Sequence, residues 1–91
     1  MIRTAVSVVS DLGLHARAAA RLVRLVSGFQ SQVKIARQEG DSGVDARSIL
    51  GLLLLAAAKG TTLYVTIEGD DEAQAAAALT GFFQRGFGEE Q

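Results

Sequence analysis

The apolar residues of this chain change their spacing several times between two and 3.6 residues, and this change constrains the fold more than any other feature. Residues 62–68 alternate strictly, with the aliphatic side chains on one side, which predicts a β-strand with one buried face. From Ala16 to Ser27 the apolar residues instead recur at the spacing of one helix face, and Gly28 follows where a helix can end. The chain therefore combines strands and helices that each have one apolar face.

The same patterns predict the remaining elements, which are strands over 4–9, 31–37 and 44–46 and helices over about 48–58 and 73–85. The predicted order is β-α-β-β-α-β-α. Four strands with one face to cover and three amphipathic helices predict an α+β two-layer fold, in which three helices lie on one face of a mostly antiparallel four-stranded sheet. Residues 1–91 form one domain in this interpretation, and residues 87–91 are expected to be a frayed tail.

Composition excludes several classes of protein. The 91 residues include 48% hydrophobic ones, enough for one modest core. The chain has nine Lys and Arg residues and ten Asp and Glu residues, and this near balance of charge argues against a general nucleic-acid binder. The chain has no Cys and a single His, so disulfides, thiol catalysis and a multi-histidine metal site are excluded. We expect neither a metal nor another cofactor.

No apolar run has the length of a signal peptide or of a membrane span; the run from Ser48 to Ala58 is too short to cross a bilayer. We therefore expect a cytoplasmic protein without membrane insertion.

The single histidine lies where a loop becomes a helix, within Gly13-Leu14-His15-Ala16-Arg17. At a helix start the backbone N–H groups of Ala16 and Arg17 have no carbonyl partner, and the helix end carries about half a positive charge, so a phosphate binds there readily. The same charge disfavours the protonated imidazole, and a neutral ring keeps one nitrogen lone pair for nucleophilic attack. The competing interpretation is a surface residue or helix cap without chemistry.

Three arginines, Arg17, Arg21 and Arg24, recur at the spacing of one helix face and lead away from the histidine. The planar donors of Arg17 suit phosphate oxygens, and the stripe as a whole suits an acidic partner surface, although solvated surface charges would show the same spacing. The chain lacks a phosphate-binding Gly-rich loop, and Asp11 is the only acid near His15 in sequence. The pattern favours a phosphoryl carrier over a small hydrolase with His15 as base.

A leucine-rich segment forms a second feature of interest. The helix predicted from about Ser48 turns Ile49, Leu52 and Leu55 toward the sheet. The other leucines then point at least partly to solvent: Leu50, Leu53 and Leu54. They form either an apolar docking patch or part of a helix that is buried nearly all round. Ser48 is expected to cap this helix, and a phosphate on it would add about −1.5 to −2 charges beside the patch.

These two segments resemble the motifs of a known family. Gly13-Leu14-His15-Ala16-Arg17 resembles the active-site signature of HPr, the histidine-containing phosphocarrier of the phosphoenolpyruvate-dependent sugar phosphotransferase system. Arg47-Ser48-Ile49-Leu50-Gly51 resembles the serine-centred motif of the same family, and the resemblance covers about residues 2–86. It implies an open-faced β-sandwich in which His15 is phosphorylated on Nδ1 by Enzyme I, with Arg17 holding the phosphate, and passes the group to Enzyme IIA domains.

The resemblance also implies partners and a docking face. The expected docking residues are Ala16, Arg21, Arg24, Leu50, Gly51 and Leu53. In some branches the HPr kinase/phosphorylase modifies the matching serine, which makes Ser48 a candidate regulatory site. Ala18 replaces a proline that is usual in the family, and we expect this to loosen the start of the helix without loss of function. We expect a monomer that binds no nucleic acid.

Two other functions remain open. One is a nitrogen-related phosphotransfer carrier, which shares both motifs. The other is a regulatory adaptor that acts through the state of Ser48; because such relatives lack the histidine, the presence of His15 argues against it.

Overall fold

The computed structural model describes residues 1–88. Its elements, in chain order, are β1 (Ile2–Ser7), α1 (Ala16–Ser27), β2 (Gln32–Ala36), β3 (Val44–Asp45), α2 (Ile49–Leu54), β4 (Thr62–Glu68), α3 (Glu72–Gln84) and a final 3₁₀ turn (Gly86–Gly88). The predicted order of strands and helices is confirmed. None of the helices within residues 1–88 combines the length and the apolar character needed to cross a bilayer.

The four strands form one antiparallel sheet in the order β1-β4-β2-β3. Strand β4 lies inside the sheet, so Val65 pairs with Thr4 on one side and with Ile35 on the other. Its aliphatic side chains are buried, as its alternation predicts, because one sheet face packs against the helices. The predicted α+β class and open-faced sandwich are confirmed.

Helix α1 has the predicted bounds, and Ala18, Ala19, Leu22 and Val26 are buried along one stripe. Together with the inward residues of the sheet and of α3 they form one continuous core. Full burial of a side chain as large as Leu22 contributes about 1.5–3 kcal/mol to folding relative to an exposed position.

Helix α2 is shorter than predicted. The apolar run continues to residue 58, but the helix ends at Leu54, and Ala56 adopts a left-handed conformation with φ of 50°. One guanidinium nitrogen of Arg37, Nη1, donates to the carbonyls of Leu55 (2.7 Å) and Ala56 (3.0 Å). Since these carbonyls bond to a distant side chain, the local pattern could not show where the helix ends.

The prediction of a frayed tail is wrong for Phe87, which is fully buried. Its ring centroid lies 5.5 Å from that of Phe82 and 5.1 Å from that of Phe83. Gly86 and Gly88 both have positive φ and curl the chain so that the aromatic ring returns to the core. Burial of a phenylalanine ring outweighs the strain of the left-handed backbone at Phe87 itself. Residues 89–91 of the predicted tail lie outside the described residues.

Candidate functional site

His15 caps the N-terminal end of α1 and is half-buried. Its backbone is extended, and its Nδ1 accepts a hydrogen bond from the backbone N–H of Arg17 at 3.2 Å. In a neutral ring that accepts at Nδ1, the proton resides on Nε2. The Nδ1 lone pair therefore points at the start of the helix, where the first-turn N–H groups of Ala16 and Arg17 have no carbonyl partner within the helix.

The loop before His15 is held by the segment that follows α2. The N–H of Leu14 donates to the carbonyl of Ala57 at 2.9 Å, and the Leu14 side chain is buried. Gly13 has φ of 69°, and a Cβ there would lie 2.6 Å from the same Ala57 oxygen. Glycine is thus required at 13 by both its conformation and its close contact. These contacts fix the backbone immediately before the histidine.

An exposed ion pair adds a second link between the same two segments. Lys59 Nζ lies 2.7 Å from Asp11 Oδ1. Their hydrogen bond, and then their mutual attraction, lowers the pKa of Asp11 and raises the pKa of Lys59. Because both side chains are largely exposed, this pair contributes little to stability.

The three arginines of the basic stripe along α1 differ in exposure and in contacts. Arg17 and Arg24 are exposed, and within residues 1–88 the guanidinium of Arg17 forms no hydrogen bond or ion pair. Arg21 is half-buried, and its Nη1 donates to the carbonyl of Phe87 at 3.2 Å. The buried C-terminal turn thus contacts the stripe, a contact that sequence reasoning missed because it placed Phe87 in a frayed tail.

The serine motif begins α2. Ser48 is exposed, and its Oγ accepts a hydrogen bond from the N–H of Gly51 at 3.0 Å, so its predicted role as a helix cap is confirmed. A Cβ at Gly51 would lie 3.1 Å from Cβ of Val44 and 3.2 Å from the Ser48 hydroxyl. Gly51 therefore lies close to Val44, and the lack of a side chain at this position permits close contact between α2 and β3.

Arg47, next to this serine, ties the motif to the far end of α1. Its guanidinium donates to the carbonyls of Phe29 (2.8 Å), Val26 (3.2 Å) and Ser31 (3.3 Å). The start of α2 thus lies beside the C-terminal end of α1, while the segment after α2 lies beside His15. Sequence reasoning gave Arg47 no role, because no local spacing relates it to carbonyls so far away in the chain.

The leucine-rich helix exposes part of its apolar surface. Leu50 is 67%, Leu53 37% and Leu54 73% exposed, whereas Leu52 and Leu55 are buried as predicted. Ile49 was expected to face the sheet, but it is 42% exposed, so this part of the prediction is wrong. Leu12, three residues before His15, is also exposed and was missed by the sequence reasoning. The predicted outward leucines are confirmed.

His15 is half-buried, whereas Ala16 and Arg17 beside it are exposed. A concavity of about 650 Å³ lies on the uncovered face of the sheet, where Arg3, Lys34 and Tyr64 help to line it, and none of the predicted site residues borders it. Within residues 1–88, no group of three His, Asp or Glu side chains could hold a metal ion. A histidine whose lone pair faces helix amides on an open surface is the arrangement expected of a protein that carries a phosphoryl group between partners.

Comparison with known proteins identifies the family. Residues 2–85 match the family model described as the PTS HPr component phosphorylation site. The phosphocarrier protein HPr of Neisseria meningitidis is 42% identical over 98% of each chain. The phosphocarrier protein NPr of Escherichia coli is 36% identical, again over 98% of each chain. The chain belongs to the HPr family of phosphocarrier proteins of the phosphotransferase system.

The solved structures agree with this assignment. HPr-C-His from Thermoanaerobacter tengcongensis superposes with a TM-score of 0.88 and 35% identity, covering the whole of both chains.

Proposed function

We propose that the chain carries a phosphoryl group on His15 Nδ1, which it receives from Enzyme I and delivers to Enzyme IIA domains. The observation that carries this proposal is the 3.2 Å hydrogen bond from the Arg17 N–H to Nδ1. This bond selects Nδ1 as the nitrogen whose lone pair faces a group of backbone donors. The chain acts here as a carrier between partner enzymes and does not itself turn over a small substrate.

The transfer step follows from this geometry. The Nδ1 lone pair attacks the phosphorus, the N–P bond forms, and the bond between phosphorus and the donor breaks. Because the proton of the neutral ring is on Nε2, no proton has to leave Nδ1. The Arg17 N–H then turns from Nδ1 to a phosphoryl oxygen, and the Ala16 N–H and the Arg17 guanidinium supply further donors. Delivery to an acceptor reverses these steps.

Donor and acceptor proteins use one docking face in turn, since both must reach the same histidine. Its proposed members are Ala16, Arg21, Arg24, Leu50, Gly51 and Leu53, and exposed Leu12 extends it toward His15. Exposed leucines beside a basic stripe suit a partner surface with an apolar centre and an acidic rim.

Ser48 provides regulation of this face in our proposal. Its hydroxyl is exposed and lies at the start of the helix that bears the docking leucines. Phosphorylation by an HPr kinase/phosphorylase would add about −1.5 to −2 charges there, which repels an acidic rim and hydrates an apolar contact. Docking of Enzyme I and of Enzyme IIA domains would both weaken.

A nitrogen-related pathway is the second candidate function. The 36% identity with NPr of Escherichia coli over nearly the full chain favours it. The chemistry at His15 is the same in both pathways, so only the identity of the partners separates them.

The test is phosphorylation by purified Enzyme I and phosphoenolpyruvate, followed by intact mass measurement. We expect one phosphoryl group on the wild type and on Ser48→Ala, and none on His15→Ala. Parallel reactions with a sugar-specific and a nitrogen-related Enzyme I separate the two pathways by their rates. Phosphorylation of His15→Ala to the wild-type extent would contradict the assignment.

A further inference from the structure

Arg37 belongs to neither motif, yet its side chain reaches the segment that supports the active-site loop. It follows β2, and its Nη1 donates to two consecutive carbonyls, those of Leu55 and Ala56, at 2.7 and 3.0 Å. Ala56 has φ of 50°, a left-handed conformation that an alanine adopts only at an energetic cost. The charge-assisted hydrogen bonds of Arg37 offset this cost and hold the turn that ends α2.

The next residue transmits this constraint to the histidine. The carbonyl of Ala57, itself a buried residue, accepts the N–H of Leu14 at 2.9 Å and lies against Gly13. Leu14 directly precedes His15. A path of adjacent contacts therefore runs from Arg37 through Ala56 and Ala57 to the backbone of His15.

We propose that Arg37 is a positioning residue for phosphoryl transfer at His15. By fixing the turn after α2 it fixes the Ala57 carbonyl, and through Leu14 it fixes the direction in which Nδ1 faces the amides of α1. The proposal rests on the proposed function only in that His15 is taken as the phosphoryl acceptor.

The Asp11–Lys59 pair links the same two segments but is a weaker constraint. Both of its side chains are largely exposed, so salt screens their attraction. Arg37 instead bonds to backbone carbonyls within the turn itself and constrains the main chain directly.

The test combines amide hydrogen exchange with single-turnover phosphoryl transfer from phosphorylated Enzyme I. In Arg37→Ala we expect the Leu14 amide to exchange roughly five- to tenfold faster, while amides of β4 keep their wild-type rates. We expect the transfer rate at saturating Enzyme I to fall roughly tenfold, since a small misplacement of a reacting atom slows reaction strongly. Arg3→Ala is the matched control: it removes the same charge from the opposite sheet face and should leave both readouts unchanged.

The outcomes separate this proposal from the proposed function. Wild-type transfer and wild-type Leu14 exchange in Arg37→Ala would overturn the positioning role, and so would slower transfer with unchanged Leu14 exchange. The exchange measurement needs no Enzyme I, so it gives its answer even if His15 is not the acceptor. If Arg37→Ala does not fold, Arg37→Gln replaces it; smaller changes of the same kind support the proposal, and no change in either readout overturns it.

Discussion

The backbone groups at the two ends of α1 have different kinds of hydrogen-bond partner. At the C-terminal end, Arg47 occupies three carbonyls, and the carboxylate of Asp71 accepts the N–H groups of Gln30 (2.8 Å) and Ser31 (2.9 Å) and the Ser31 hydroxyl (2.5 Å). At the N-terminal end, the first-turn N–H of Arg17 donates to Nδ1 of the helix-capping histidine. Distant charged side chains therefore anchor one end of α1, whereas the other end places a first-turn donor against the ring of His15.

The role proposed for the N-terminal end of α1 in binding the phosphoryl group can be tested with Arg17→Ala. Removal of the guanidinium should slow phosphoryl transfer by about 10- to 100-fold, because one charged donor to the developing phosphoryl charge is lost. The free energy of unfolding should change by less than about 0.5 kcal/mol, since Arg17 is exposed. Quench-flow transfer and urea unfolding measure the two effects. Arg24→Ala, which removes a charge of the docking face, is the control for general charge when transfer is measured at saturating Enzyme I, and an equal slowing in both variants would then show that Arg17 has no special role.

The anchored end can be tested with Arg47→Ala. Three carbonyls lose their donor, and we expect the protein to lose about 1–2 kcal/mol of stability, less than three buried bonds would give because water replaces part of them. Urea unfolding at neutral pH measures this loss. If Arg47→Ala is as stable as the wild type, the hydrogen bonds of Arg47 do not anchor the C-terminal end of α1.

The Asp71 interaction predicts a pH dependence. The Ser31 hydroxyl first, and then the backbone N–H of Gln30, lowers the pKa of Asp71 below its ordinary value. Its stabilising contribution is therefore complete above the unfolded value of about 3.9 and is lost as the pH falls through the lower folded value. Asp71→Asn should be less stable than the wild type at pH 7, and the two should converge in acid. Urea unfolding across this pH range measures the two free energies of unfolding. A constant difference between them at every pH would contradict a stabilising role for the Asp71 carboxylate.

Local patterns predicted the elements whose structure is determined locally. Residues 62–68 form a strand with the predicted bounds because their alternation matches one buried sheet face. The end of α2 was missed because Arg37 holds Ala56 in a conformation that no nearby residue indicates. Phe87 was missed although Phe82 and Phe83 are close in sequence, because its ring reaches them through a left-handed turn at residues 86–88 that the spacing of apolar residues does not indicate.

For the candidate site, sequence placed His15 at the helix start and Ser48 at the start of α2, since both depend on local spacing. It missed the roles of Arg37 and Arg47, whose contacts are distant in sequence.

In our proposal, Nδ1 of His15 faces the donors of α1 and accepts the phosphoryl group there. Long-range ¹H–¹⁵N NMR of the imidazole, recorded before and after reaction with Enzyme I and phosphoenolpyruvate, tests it most directly. We expect the unmodified neutral ring to carry its proton on Nε2, the phosphoryl group to appear on Nδ1, and the Arg17 amide proton to shift as it turns to a phosphoryl oxygen. A phosphoryl group on Nε2, or an Arg17 amide proton whose chemical shift does not change, would show that Nδ1 is not the acceptor facing these donors.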